Sequence, residues 1–299
     1  MGDKKKIVFL IITLGGLAAH AMPSFVEIGD PGNVGDASGY GRVDYTYKIS
    51  KAEISIAEFE ASGAGNGNEN YFNDGTRTVG ANAPAVNVKL YEAMKYCNWL
   101  TSGDVDSGAY IFNGASSVAV NRESAISTYT DIFVLPTEDE WYKAAYYTGD
   151  QGDPWSLYAT GADDVPSRAT GGNGWNCLVY DSGLNYLLSG PNYVWAVGGS
   201  AEEQNGTYDM MGNVAEWVED TSGVLRGGGY NTFNESTMSS DFRLTKDPSS
   251  EGSSTFLAGF RIVQTNVVPE PFTAGLLFIG GAATWVTRRS LKKTTDETV

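Results

Sequence analysis

The sequence predicts a single, loop-rich α+β domain, on three observations. Short runs of strand-like alternation are interspersed with helices of only a few turns, several opened by a capping box of their own. Glycine makes up 37 of 299 residues, above the ~7% of an average chain, as a fold built largely of turns requires. No internal repeat divides the chain.

The elements follow in order. Residues 25–28 read as a first strand, and Asp30-Pro-Gly-Asn-Val-Gly35 supplies loop residues. Alternation over 43–49 predicts a second strand, continued by Lys51-Ala-Glu-Ile54. Ser55 and Glu58 form a capping box that starts a short helix through Phe59, and 61–73 read as loop. A second helix fits 90–100, where Leu90, Ala93, Met94, Cys97 and Leu100 share one stripe. Phe133-Val-Leu135 is strand-like until Pro136. Thr137 and Glu140 then cap a helix with Trp141, Ala144 and Ala145 on one face, Trp141 being read as core. Residues 149–200 are dominated by Gly, Asn, Asp and isolated aromatics, the composition of a long irregular segment that is functional or metal-stabilised where it occurs. Leu225 and Arg226 end a strand at a tight turn, Gly227-Gly-Gly229, where glycine permits positive φ and close backbone approach.

The two ends differ from this body. Lys4-Lys5-Lys6, an apolar run over 7–19 and Ala19-His20-Ala21 have the order of a secretory signal peptide, with cleavage expected after Ala21. Val268-Pro-Glu-Pro271, the apolar segment 272–286 and the basic tail with Arg288, Arg289, Lys292 and Lys293 resemble a PEP-CTERM sorting signal. That resemblance implies exosortase-type sorting machinery as a partner. An ordinary membrane anchor is the alternative, although the segment is shorter than the ~20 residues a span needs. Basic residues after the segment place that end in the cytoplasm. Either way the body is expected to be exported to the cell envelope or released. The expected organisation is signal peptide 1–21, domain 22–266 and sorting signal 267–299.

Charge and residue usage exclude several chemistries. The formal net charge is −16, and both ends are net basic, so the body is more acidic still. Nucleic acid and anionic membrane surfaces are poor partners for it. The acidity reads first as a solubilising coat on an exported protein, with calcium sites as the alternative. His20 is the only histidine, so the expected mature chain has no imidazole base, no Ser-His-Asp or Cys-His nucleophile pair and no histidine-ligated metal. Cys97 and Cys177 are the only cysteines. A disulfide between them and two separate thiols both remain open.

Three signatures stand in order near the end of the body: Asp209-Met-Met-Gly-Asn-Val-Ala-Glu-Trp217, Leu225-Arg-Gly-Gly-Gly-Tyr230 and Gly259-Phe-Arg-Ile-Val263. Together with 43–59 and with Leu-Pro-Thr-Glu-Asp-Glu-Trp-Tyr-Lys-Ala-Ala-Tyr over 135–146, they resemble the formylglycine-generating enzyme, or sulfatase-modifying factor, family. The resemblance implies a formylglycine-generating-enzyme fold, related to C-type lectins, over about residues 25–264. It also implies a calcium ion held by the carboxylates of Asp209 and Glu216 and the carbonyls of Gly212 and Val214, hard oxygen donors of the kind calcium takes. A hairpin turning at Gly212-Asn213 with Glu216 in solvent is the alternative. Asn176, Asp181 and Asn185 lie where relatives have a second calcium site, without an assignment.

The family's copper-binding cysteines would fall at Thr232 and within 235–238, and no cysteine lies between Gly227 and Gly259. Copper is therefore not expected, because hydroxyl and thioether groups do not replace two thiolates for Cu(I). Trp217, Gly229, Tyr230, Thr232 and Arg243 are the expected lining of a ligand-binding cleft. Arg226, Arg243 and Arg261 either bind an anion there or tie loops together through carboxylates and carbonyls. Trp155, Trp175, Tyr193, Trp195 and Tyr230, on or beside irregular segments, offer ring faces for sugars. The expected function is that of an exported, envelope-associated binding or structural protein without catalysis, recognising glycans or envelope proteins. The alternative is an enzyme, either a modifier of exported proteins or a carboxylate-based hydrolase.

Overall fold

The computed structural model describes residues 22–65, 80–114, 117–166, 175, 194–230, 235–249 and 257–267. In chain order they form β1 (Phe25–Ile28), β2 (Tyr47–Ser50), α1 (Ile56–Ser62), α2 (Leu90–Ser102), β3 (Tyr110–Phe112), β4 (Val118–Val120), α3 (Arg122–Thr128), β5 (Ile132–Val134) and α4 (Glu138–Tyr146), then β6 (Ala215–Trp217), β7 (Val224–Arg226), β8 (Leu244–Thr245), β9 (Ala258–Phe260) and β10 (Val263–Thr265). This is the α+β mixture the sequence predicts.

Two four-stranded sheets carry the fold. One runs β1-β2-β10-β5, all antiparallel; the other runs β8-β7-β6-β9, in which β6 and β9 are parallel. Only Arg261 and Ile262 separate β9 from β10, so the Gly-Phe-Arg motif is the point at which the chain steps from one sheet into the other. Helix α2 packs on β5 and against α1, and α3 packs on the other contacts of β5. The main core gathers Trp141, Trp217, Phe260, Tyr96, Phe59, Ile49 and Val263 from both sheets and the helices.

Local chemistry sets the helix ends. Both reciprocal bonds of the Ser55–Glu58 and Thr137–Glu140 capping boxes are present. At its other end α4 has no glycine to close it, and distant side chains take its carbonyls instead. Asn205 Nδ2 donates to the carbonyls of Ala144 at 3.0 Å and Tyr147 at 2.9 Å, and Gln204 Nε2 donates to Ala145 at 3.0 Å.

Some expectations need correction. Residues 43–46 lie outside β2, because Val43 bonds to the loop instead: its amide donates to Asn33 Oδ1 and its carbonyl accepts from Gly32. Residues 51–54 leave the sheet as well, Ile54 exchanging bonds with Phe260 and Ala85. The hairpin β3–β4 and helix α3 were not anticipated. The buried residues of α3 are Arg122 and Ala125, so it has no apolar stripe to read. Arg122 anchors it instead, 2.8 Å from Glu219 and 3.3 Å from Glu140 and donating to the Leu135 carbonyl. Tyr110 joins this cluster by donating to Glu219 and accepting from the Leu135 amide. Cys97 is a free, buried thiol on α2 whose pKa burial pushes up, while Cys177 lies outside the described residues. So do the segments 1–21 and 268–299. No described helix is long and apolar enough to cross a membrane.

The termini of α4 give a direct stability test. Thr137→Ala should cost about 1 kcal/mol, the usual worth of an N-cap. Asn205→Ala, which orphans carbonyls at the other end, should cost about 1–3 kcal/mol. Urea unfolding should show lower midpoints at unchanged slope; an unchanged midpoint for Asn205→Ala would contradict its role as a remote cap.

Candidate functional site

The first and second signatures meet in a tightly wound loop. Asp209, Gly212 and Asn213 adopt φ of 58°, 87° and 53°, left-handed values that Asp and Asn tolerate better than other side-chain-bearing residues. The Gly212 amide donates to the Gly227 carbonyl and the Tyr230 amide to the Asn213 carbonyl, both at 2.9 Å. Gly227 has φ 86°, and a Cβ there would lie 2.7 Å from the Met210 carbonyl. The Arg-Gly-Gly turn therefore presses directly on the 209–213 loop, a contact that only glycine allows.

Beneath that loop lies a buried ion pair. Arg261 Nε donates to Glu216 Oε2 at 2.6 Å and Nη2 to Oε1 at 2.7 Å, and Trp141 Nε1 also donates to Oε2 at 2.7 Å. The rest of the guanidinium is used on backbone: Nη2 reaches the Tyr208 carbonyl at 2.9 Å, and Nη1 the Ser50 and Lys51 carbonyls at 3.2 Å. Arg261, Glu216 and Trp141 are all fully buried, so the pair is stable only because nearly every donor and acceptor is matched.

Three more buried carboxylates surround this pair. Asp209 accepts from the Gly198 amide at 2.8 Å and from the Ser200 hydroxyl. Glu203 accepts from the Met210 amide and the Thr207 hydroxyl, both at 3.0 Å. Glu53 accepts from Asn213 Nδ2 at 3.0 Å through Oε1, whereas its Oε2 is enclosed and has no hydrogen-bond partner. Burial raises the pKa of all three, Glu203 to about 8, and the charges of Asp209 and Glu216 push Glu53 further in that direction. Four acids thus face one guanidinium, an excess of buried negative charge that protons or a cation must neutralise.

The four residues read as calcium ligands, Asp209, Gly212, Val214 and Glu216, are brought together in this loop and the start of β6. Glu216 is not in solvent, which removes the hairpin alternative. Its oxygens face Arg261 and Trp141, leaving Asp209, Glu53 and Glu203 as the acids beside the loop that form no ion pair among the described residues. Among the described residues no group of three or more His, Cys, Asp or Glu side chains is disposed to hold a metal ion. The donors fit a hard cation that takes two carboxylates and completes its shell with carbonyls and water.

The expected cleft does not assemble as read. Trp217 is fully buried in the core and donates from Nε1 to the Val88 carbonyl at 2.8 Å, because β6 is central in its sheet and its pair with Phe260 turns the indole inward. Gly229 is buried, and Tyr230 sits in a small apolar cluster with Ile56, Val86, Val194, Val214 and Leu257. Arg243 is half-exposed, binding Glu138 at 2.9 Å and lying 3.6 Å from Asp220. Arg226 lies 2.6 Å from the same Glu138, donates to the Ser240 and Phe242 carbonyls and stacks over Tyr40 and Tyr142. All three arginines therefore tie loops together. Trp155 packs on Tyr142 and Tyr147, Trp175 packs against the core, and Trp195 is half-buried. Thr232, Tyr193, Asn176, Asp181 and Asn185 lie outside the described residues.

What the sequence did not reveal is an open cavity of about 260 Å³ on the other side of the cluster, lined by Pro23, Lys51, Glu53, Glu58, Gly198 and Tyr208. Glu53 and Glu203 also escaped notice as site residues, Glu53 because the segment 51–54 was read only as the continuation of a strand and Glu203 because it is a lone acid with no motif around it.

Comparison with known proteins places this geometry in a family. No curated protein matches the chain. Among solved structures, Treponema denticola variable protein 1 is similar at 19% identity and a TM-score of 0.49, over 80% of this chain and 94% of that one. A structure described as CarF is similar at 21% identity and a TM-score of 0.53, over 84% of this chain and 99% of that one. The latter likeness concerns the fold alone. Residues 37–266 match the sulfatase-modifying factor enzyme 1-like domain, and since that span holds all three signatures and both sheets' central strands, the chain belongs to that family.

Proposed function

We propose that this protein is an exported, envelope-associated binding or structural protein that keeps the sulfatase-modifying factor scaffold, holds it together with calcium and performs no copper-dependent oxidation. The observation that carries the reading is the absence of any cysteine between Gly227 and Gly259, where family members that oxidise a substrate cysteine keep the thiolates of their copper site. The arginines of the same region are turned to structural use, each bound to a carboxylate and Arg226 and Arg261 to backbone carbonyls as well. Export rests on the character of the two ends, with exosortase-type machinery as the partner and glycans or envelope proteins as ligands.

Calcium is supported by the loop's oxygen donors and by the surplus of buried carboxylates. Asp209, with the carbonyls of Gly212 and Val214, would hold it, and its chemistry there would be neutralisation of charge and stiffening of the loop. The second reading, a carboxylate-based hydrolase, has the raised pKa of Glu203 in its favour. Against it, Glu203 and its neighbours are sealed beneath the loop and offer no surface to a substrate.

Three outcomes test the proposal. A cysteine-containing sulfatase peptide incubated with the protein, copper and oxygen should remain unmodified, and aldehyde formation would refute the non-catalytic reading. Chelation should lower the Tm of the ectodomain, most of all at high pH. The sign follows from proton linkage: burial keeps these acids protonated above their unfolded pKa, so without a cation stability falls as pH rises from the ordinary glutamate value of 4.5 through about 8 for Glu203. Calcium replaces those protons and should flatten the curve; superimposable pH curves with calcium and with chelator would remove it from the account. Glu216→Ala leaves Arg261 buried and unpaired, and should cost about 3–5 kcal/mol in either medium, measured by chemical unfolding. A smaller loss in chelator than in calcium would instead make Glu216 a direct calcium ligand.

A further inference from the structure

We propose that Glu53, from the segment between β2 and α1, is a calcium ligand of the 209–216 loop and supplies the carboxylate that Glu216 gives to Arg261. The inference rests on the calcium reading above and adds a residue that no part of the loop motif contains.

Five observations converge on this side chain. Glu53 is only 2% exposed, and its Oε2 has no hydrogen-bond partner, although the group is enclosed. Leaving a buried carboxylate oxygen unmatched is costly, so an unmatched one in a well-packed protein points to something that completes it. Its other oxygen is held by Asn213 of the loop itself at 3.0 Å, so the carboxylate is fixed against the segment that carries Gly212 and Val214. The other acids that could serve beside Asp209 are already engaged, Glu216 by Arg261 and Trp141 and Glu203 by the Met210 amide and Thr207. No ion pair involves Glu53 among the described residues, and the charge of Arg261 offsets its own only in part. Finally, the cavity of about 260 Å³ is lined by both Glu53 and Gly198, the residue whose amide binds Asp209, so it adjoins this side of the loop.

The chemistry follows from hard-cation preference. Calcium takes six to eight oxygens, and carboxylates of Glu53 and Asp209, two loop carbonyls and waters entering from the cavity make such a set without a third acid.

The test is Glu53→Gln in the ectodomain, with calcium binding read by calorimetry and Tm read in calcium and in chelator. The substitution keeps the shape and the bond to Asn213 but removes the charge. In chelator the variant should melt at or above the wild type, because an uncompensated buried acid is gone. In calcium it should gain little, and its affinity should fall at least ~10–100-fold. If Glu53→Gln binds calcium as tightly as the wild type, the assignment is overturned while the calcium reading stands, and Glu53 carries a proton instead. If the wild type itself binds no calcium, the calcium reading fails and this one with it. Should Glu53→Gln not fold, Glu53→Asp keeps the charge but shortens its reach; wild-type affinity in that variant would equally overturn the assignment.

Discussion

The fold depends on one buried contact, the bidentate pair between Arg261 and Glu216. Arg261 stands where the chain passes from one sheet to the other, and Glu216 lies in the central strand β6. Through its remaining donors the guanidinium also fastens the end of β2 and the approach to the 209–213 loop. Trp141 adds α4 to the same carboxylate. Both sheets, a helix and the loop thus share one electrostatic node, and the desolvation of that node is tolerable only because almost every polar atom in it is matched.

The same pattern recurs across the site region. In this chain charged groups are spent on one another: Arg226 and Arg243 share Glu138, Arg122 bridges Glu140 and Glu219, and Arg261 holds Glu216. Groups fixed in this way support loops that have little regular structure of their own. What remains unbalanced beneath the 209–213 loop is negative. That imbalance is the physical link between the acidic composition of the chain and a cation, and it sets the proposed calcium apart from a mere solubilising coat of surface acids.

Much of the fold was legible because its signals are local. Ser55 with Glu58, and Thr137 with Glu140, announce helices through bonds made within four residues, and the glycines after Arg226 announce a turn through backbone sterics alone. Helix α3 was invisible because a buried arginine and an alanine do not make an apolar stripe. The strand over 43–49 was read too long because Val43 is buried by a loop rather than by a sheet, a distinction that alternation does not carry. Trp217 was read into a cleft because a motif gives the order of residues along β6 and not the direction in which its indole points.

The sequence by itself determined the family, the capped helices, the tight glycine turn and the absence of cysteine between Gly227 and Gly259, since each is fixed by residue identity at short range. Tertiary structure alone decided that Glu216 pairs with Arg261, 45 residues away, that Asn205 closes α4, and that Glu53 meets Asn213 across 160 residues. These are partnerships between lone polar groups whose only requirement is proximity after folding. A linear pattern holds no trace of them, because burial and charge balance are properties of the packed chain.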